Sequence, residues 1–95
     1  MTKFSIKGRV ERFAGKYGWY YVELDEGISK YFRLILADLW PALIKVEFTI
    51  GNTTWQSSIM PIKDGPLFIA LPARIRKAEE IDEGQTVTIQ FGLKI

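Results

Sequence analysis

The sequence predicts an all-β fold: a small closed or partly open β-barrel of six to seven strands with one or two short helical turns. Three observations carry this. Apolar side chains recur at period two around Phe4, Ile6 and Val10, along Ile44, Val46, Phe48 and Ile50, and along Val87, Ile89, Phe91 and Leu93. Glycine turns at Gly51-Asn52 and Asp82-Glu83-Gly84 punctuate the second half at strand-length spacing. The segments between strands leave no room for βαβ crossovers, and small antiparallel sheets close on themselves to remove exposed edges.

Taken in order, Phe4, Ile6 and Val10 face inward and Ser5, Lys7 and Arg9 outward, with Gly8 on the inward side, where a glycine marks a bulge or sharp bend. Trp19 to Leu24 reads as a second strand with Tyr20, Val22 and Leu24 on one face, turned by Asp25-Glu26-Gly27. A third, shorter strand is expected around Lys30 to Leu36. Ala37 to Ala42 interrupts the alternation with Pro41 and is read as a turn or one helical turn.

Ile44 to Ile50 and Thr53 to Met60 form a hairpin across Gly51-Asn52, a two-residue turn with glycine first. Leu67 to Leu71 is apolar enough to be buried on both faces. Pro72 suits the start of a helix, and Ala73 to Glu80 carries Ile75 and Ala78 at helical spacing, so about two turns fit before Gly84. The last strand runs over Val87 to Leu93. One domain, residues 1–95, is expected, with no internal repeat and no linker.

Composition bounds the function. Ninety-five residues with 47% hydrophobic and 14% aromatic content describe a chain near the lower limit for a single core. Its aromatic side chains are needed mostly inside. Thirteen basic against eleven acidic residues give a net charge of +2, well short of the excess typical of polyanion binders. No cysteine and no histidine are present, which excludes disulfides, thiolate zinc sites and the common nucleophile–imidazole pairs. The opening Thr2-Lys3-Phe4-Ser5-Ile6-Lys7 alternates like a strand and lacks a leader's apolar stretch, and Leu34 to Ile44 is too short to span a bilayer. A cytoplasmic protein is expected. No cofactor and no metal site is read from the residues, and the acidic turns fit no calcium loop.

Two groups of candidate site residues stand out. Trp55 and Ser58 on the hairpin, with Arg74, Arg76 and Lys77 on the short helix, are read as a ligand-binding mouth of the barrel. The basic residues crowd the start of that helix and Glu79, Glu80, Asp82 and Glu83 its end, against the helix dipole, although Arg76 is also placed to pair with Glu79 or Glu80. The second group, Lys16, Trp19 and Tyr21, sets an aromatic pair that can stack bases beside a cation, and Phe32 joins it through a resemblance to the cold-shock pattern. Ser57 and Ser58 lack an activating base, so no catalytic residue is assigned.

From Gly18 onward the chain resembles the bacterial and archaeal domain-of-unknown-function family nineteen-oh-five. The residues that carry the likeness are Gly18-Trp19 with Val22, Ile50-Gly51 with Trp55, Ser58-Ile59-Met60-Pro61 before Asp64-Gly65, Leu71-Pro72, Ile75-Arg76-Lys77-Ala78, and Ile81 with Gly84. The resemblance implies a small barrel, found alone or fused to bacteriocin-protection segments, and no established activity. Leu71 to Lys77 with Ile81, Gly84 and Val87 is also similar to the strand, helical turn and strand of AbrB-type regulators, which bind DNA as swapped dimers. Lys7 to Val10 and Lys16 to Val22, with Phe32 later, resemble the cold-shock pattern, but Tyr20 stands where that pattern has a second glycine. The expected function is a non-enzymatic module binding a protein or small ligand. The alternative is a nucleic-acid-binding barrel using Trp19, Tyr21 and the Arg74 to Lys77 segment.

Overall fold

The computed structural model describes residues 3–14, 18–39, 43–61 and 66–93. In chain order these form β1 (Lys3–Arg9), β2 (Glu11–Arg12), β3 (Tyr20–Glu23), α1 (Glu26–Leu39), β4 (Ile44–Ile50), β5 (Thr53–Pro61), β6 (Leu67–Ala70), α2 (Ala73–Ala78) and β7 (Thr86–Leu93). The strands make one antiparallel sheet in the order β1-β7-β4-β5-β6-β3-β2. The two strands at the ends of that order, β1 and β2, are halves of one bent segment. The sheet therefore curls into a nearly closed barrel, as the period-two patterns lead one to expect.

The corner is at Val10, which is wholly buried. Its N–H donates to the Gln85 carbonyl and its own carbonyl accepts from the Gly84 N–H, both at 2.8 Å, so the ladder with the β7 side continues to Val10. One residue later Glu11 pairs with Tyr21 of β3. The bend brings β1 close to β3. A Cβ added at Gly8 would lie 2.5 Å from Cγ1 of Val22, so the absent side chain is what lets the strands approach.

Inside, Phe4, Phe91, Phe48 and Trp55 are direct cross-strand neighbours and form one aromatic row across β1, β7, β4 and β5. Their ring centroids are spaced 5.3, 5.7 and 5.3 Å along the row. Phe32 of α1 drops onto this row, 5.0 Å from Phe4 and 5.8 Å from Phe91. These separations allow the tilted and edge-on contacts that aromatic quadrupoles favour. The hairpin over Gly51-Asn52 forms as read, with Ile50 opposite Thr53 and Gly51 at a φ of +56°.

The expected third strand at Lys30 to Leu36 is instead part of the helix α1. Asp25 is the reason. Its carboxylate accepts from the Ile28 N–H at 2.9 Å and its carbonyl from the Ser29 N–H at 2.8 Å, so Asp25-Glu26-Gly27 starts a helix and does not turn a hairpin. Ile28, Phe32, Ile35 and Leu36 then share the face packed on the core. Ala37 to Leu39 complete α1, and the remainder of the interruption read at Ala37 to Ala42 lies outside the described residues. Ser29 is buried and satisfied: its hydroxyl donates to the Leu24 carbonyl and accepts from the Leu67 N–H, tying α1 to β6.

Leu67 to Ile69 is buried on both faces, as its composition implies. Val22 and Ile69 fill the inside, while Phe13 and Tyr21 stack 4.0 Å apart and cover Phe68 outside. Among the described residues β5 and β6 pair at Met60 and Pro61, which leaves a seam along the rest of β5. Helix α2 packs on β5 at this seam, burying Ile75 and pinned by Glu79, whose carboxylate accepts from the Thr53 hydroxyl at 2.5 Å. No described helix is long and apolar enough to cross a membrane.

Candidate ligand-binding site

The seam that α2 fills leaves a cleft on its β3 side. Gly18 enters β3 at a φ of +52°, a conformation glycine adopts without strain, and its Cα faces the Arg12 guanidinium so closely that a Cβ would sit 2.6 Å from Nη2. Trp19 follows with 55% of its surface exposed. Its carbonyl accepts from the Phe13 N–H at 2.8 Å, and the next carbonyl, that of Tyr20, accepts from the Leu71 N–H at 2.8 Å. These two bonds fix the backbone that presents Trp19 and Tyr20.

Pro72 caps α2 in an extended conformation, and one turn further on Arg76 reaches back toward the N-terminal end of the helix. Its Nε–H donates to the Leu71 carbonyl at 3.2 Å, and its guanidinium lies 3.8 Å from the centroid of the Tyr20 ring. Such a cation–π contact stabilises by roughly 0.5–2 kcal/mol, depending on how far water is excluded. Arg12 stands 5.7 Å from the same centroid. Trp19, Tyr20, Leu71, Pro72, Ala73 and Arg76 enclose about 300 Å³, at the small end of ligand pockets, and no lining residue is a carboxylate.

Arg76 does not take the ion pair with Glu79 or Glu80 that their spacing allows. Glu79 is turned to Thr53, and Arg76 to Leu71 and Tyr20. Among the described residues the ion pair is Arg9 with Glu11, exposed and 3.9 Å long. Arg12 and Arg76 thus meet at one aromatic ring with no carboxylate in pairing distance among those residues.

The two groups of candidates read from the sequence are redistributed. Trp55 belongs to the interior row and is 3% exposed, with its indole N–H buried and unpartnered. Ser58 is half-buried opposite Lys45 on the β4–β5 ladder. Arg74 and Lys77 are exposed on α2 and do not line the cleft. Phe32 is enclosed between Phe4 and Phe91, so it offers no ring for stacking. Tyr21 packs against Phe13 and Phe68, and burial, reinforced by the carboxylates of Glu23 and Glu11, holds its phenol above the usual value and therefore neutral near pH 7. Lys16 lies outside the described residues. What the fold brings together is Trp19 from one group and Arg76 from the other.

Residues 7–91 match the family described as Domain of unknown function (DUF1905). The chain belongs to that family. The DUF1905 match begins before Gly18, where the sequence likeness starts, and so takes in the end of β1 and all of β2 with Arg12. The description of DUF1905 assigns no reaction. No curated protein matches the chain. Among the described residues no three metal-ligating side chains converge.

Arg12, Tyr20 and Pro72 went unread as site residues. Arg12 lies in a strand of two residues, too short to show periodicity, and Tyr20 reads as an inward core position. The usable signal was Arg76 four residues after Pro72, which aims a long side chain back across the turn into the helix.

Proposed function

We propose that this DUF1905 domain is a non-enzymatic binding module whose ligand enters the cleft between β3 and α2. The observation that carries the reading is the Arg76 guanidinium held over the Tyr20 ring, 3.8 Å from its centroid, beside an exposed Trp19. An oriented cation, an open ring and an apolar floor of Leu71 and Pro72 are the parts of a recognition site, since a few convergent polar groups in an apolar hollow fix a ligand's orientation. Supporting the non-enzymatic reading, the cleft holds no carboxylate, thiol or imidazole to move a proton at neutral pH.

The nucleic-acid alternative loses its track of rings, because Tyr21 is packed and Phe32 buried, and keeps Trp19 alone. The reading is tested with a small-molecule fragment library added to the 15N-labelled chain. Amide shifts clustered on Trp19, Tyr20, Leu71, Ala73 and Arg76 are expected. Shifts scattered over the surface, or confined to the outer faces of β4 and β7, would contradict it.

A further inference from the structure

We infer that the cleft takes a nucleoside phosphate one unit at a time, the phosphate held by the Arg76 fork with added charge from Arg12 beside Gly18, and the base laid on Trp19. This rests on the binding-module reading and adds to it the chemical class of the ligand.

The charge comes first. Two guanidinium groups stand at 3.8 and 5.7 Å from the Tyr20 centroid, neither is in an ion pair among the described residues, and no carboxylate lines the cleft. Elsewhere on the surface acids and bases alternate, as in the hollow at the start of α1, where Glu23, Asp25 and Glu26 face Lys30 and Arg33. The cleft is distinguished by a lining that carries the Arg76 cation and no acid, although Arg76 also borders a neighbouring hollow that holds Glu80 and Asp82. Arg76 spends its Nε–H on the Leu71 carbonyl, which fixes the plane of the guanidinium and leaves its terminal NH2 groups as a fork. A fork held in that way matches two oxygens of one anion, and a phosphate supplies a dianion to two arginines.

The ring comes second. Trp19 is more than half exposed while most large aromatics of the described chain are enclosed. It lies in the same hollow as the fork, over the apolar surface of Leu71 and Pro72. A base stacked on such a face is stabilised by roughly 1–3 kcal/mol without regard to its identity. A single open ring beside a single anion-binding fork accommodates one nucleotide, not a row of stacked bases. The hollow of about 300 Å³ sets the same limit.

The test uses the full chain, 15N-labelled, titrated with AMP, adenosine and inorganic phosphate, and with a short oligothymidylate blocked at both ends. AMP is expected to shift the Trp19, Tyr20 and Arg76 resonances, and to bind about tenfold or more tighter than adenosine, since one hydrogen-bonded charge contact is worth that factor. Raising salt from about 50 to about 200 mM should weaken AMP and leave adenosine unchanged. Arg12→Gln and Trp19→Ala, both at exposed positions, should each weaken AMP at least about fivefold with the thermal midpoint unchanged. Arg76→Gln should do the same, its fold checked in the same spectra. AMP binding well above the blocked strand points to a free nucleotide or strand end, and the reverse order to internal units of a strand; either keeps the chemistry.

Adenosine binding as tightly as AMP, or inorganic phosphate as tightly as AMP, overturns this inference and leaves the binding-module reading standing. Silence from all four ligands overturns it too, and the fragment library then decides separately whether the cleft binds anything.

Discussion

The interior row and the cleft are built from the same kinds of side chain and differ in what surrounds them. Phe4, Phe91, Phe48 and Trp55 stand in register on four adjacent strands, each ring supplied with neighbours by the ladder itself. Trp19, Tyr20 and Arg76 meet where the ladder fails, between a short strand and a short helix, and one face of the group stays open. Regular pairing spends aromatic surface on stability. A gap in the pairing leaves some of it for recognition.

The sharpest way to break this comparison is to truncate one ring in each place. Phe91→Ala removes the member that touches Phe4, Phe32 and Phe48, and should cost about 3–5 kcal/mol in denaturant unfolding. Trp19→Ala should change stability by less than about 0.5 kcal/mol, as exposed positions usually do. Equal losses would mean that Trp19 is core. A smaller effect sharpens the picture of closure: Gly8→Ala forces a methyl against the stiff Val22 side chain and should destabilise by about 1–3 kcal/mol, read by the same unfolding curve. A neutral result would show that β1 and β3 do not approach as described.

The seam itself offers a substitution of opposite sign. Helix α2 ends with the Ile81 N–H donating to the Arg76 carbonyl at 2.8 Å and Glu80 at a φ of 52°, the left-handed position that glycine normally occupies. Glu80→Gly should therefore stabilise by about 0.5–1 kcal/mol, seen as a higher thermal midpoint with no change at the cleft.

The smallest effect concerns the outer aromatic group of Phe13, Tyr21 and Phe68. A phenol whose ionisation is disfavoured in the fold binds its proton more tightly there than in the unfolded chain. Its contribution is complete below the unfolded value of about 10 and declines as pH rises through and above it. The thermal midpoint should drop on going above about pH 10, and drop less in Tyr21→Phe. An identical alkaline slope in both proteins would remove Tyr21 as the source.

Much of the barrel was legible because half-buried strands write their period into the sequence: β1, the β4–β5 hairpin and β7 follow the alternation residue by residue. The helix α1 was not, for two physical reasons. Its cap, Asp25, is followed by Gly27 and imitates a turn, and its outward face carries Tyr31 and Leu34, both exposed, which blurs the contrast between apolar and polar sides. In the site, Arg76 could be singled out by its crowding with Arg74 and Lys77, whereas its Tyr20 partner is remote in sequence and met only through folding. Trp55 reads as part of the barrel mouth and Phe32 as a stacking ring by its likeness to the cold-shock pattern. The interior row claims both, because a chain of this size has few large side chains to fill its middle.

The contrast between a dry, closed interior and an open, cationic cleft is tested most directly by ionic quenching of tryptophan fluorescence. The emission that disappears in Trp19→Phe isolates the Trp19 signal from that of the other tryptophans. With each ion's effect divided by its quenching of free N-acetyltryptophanamide, iodide should quench that component more strongly than caesium at equal ionic strength, since Arg12 and Arg76 concentrate anions beside an exposed ring. Equal quenching by both ions, or stronger quenching by caesium, would contradict the account.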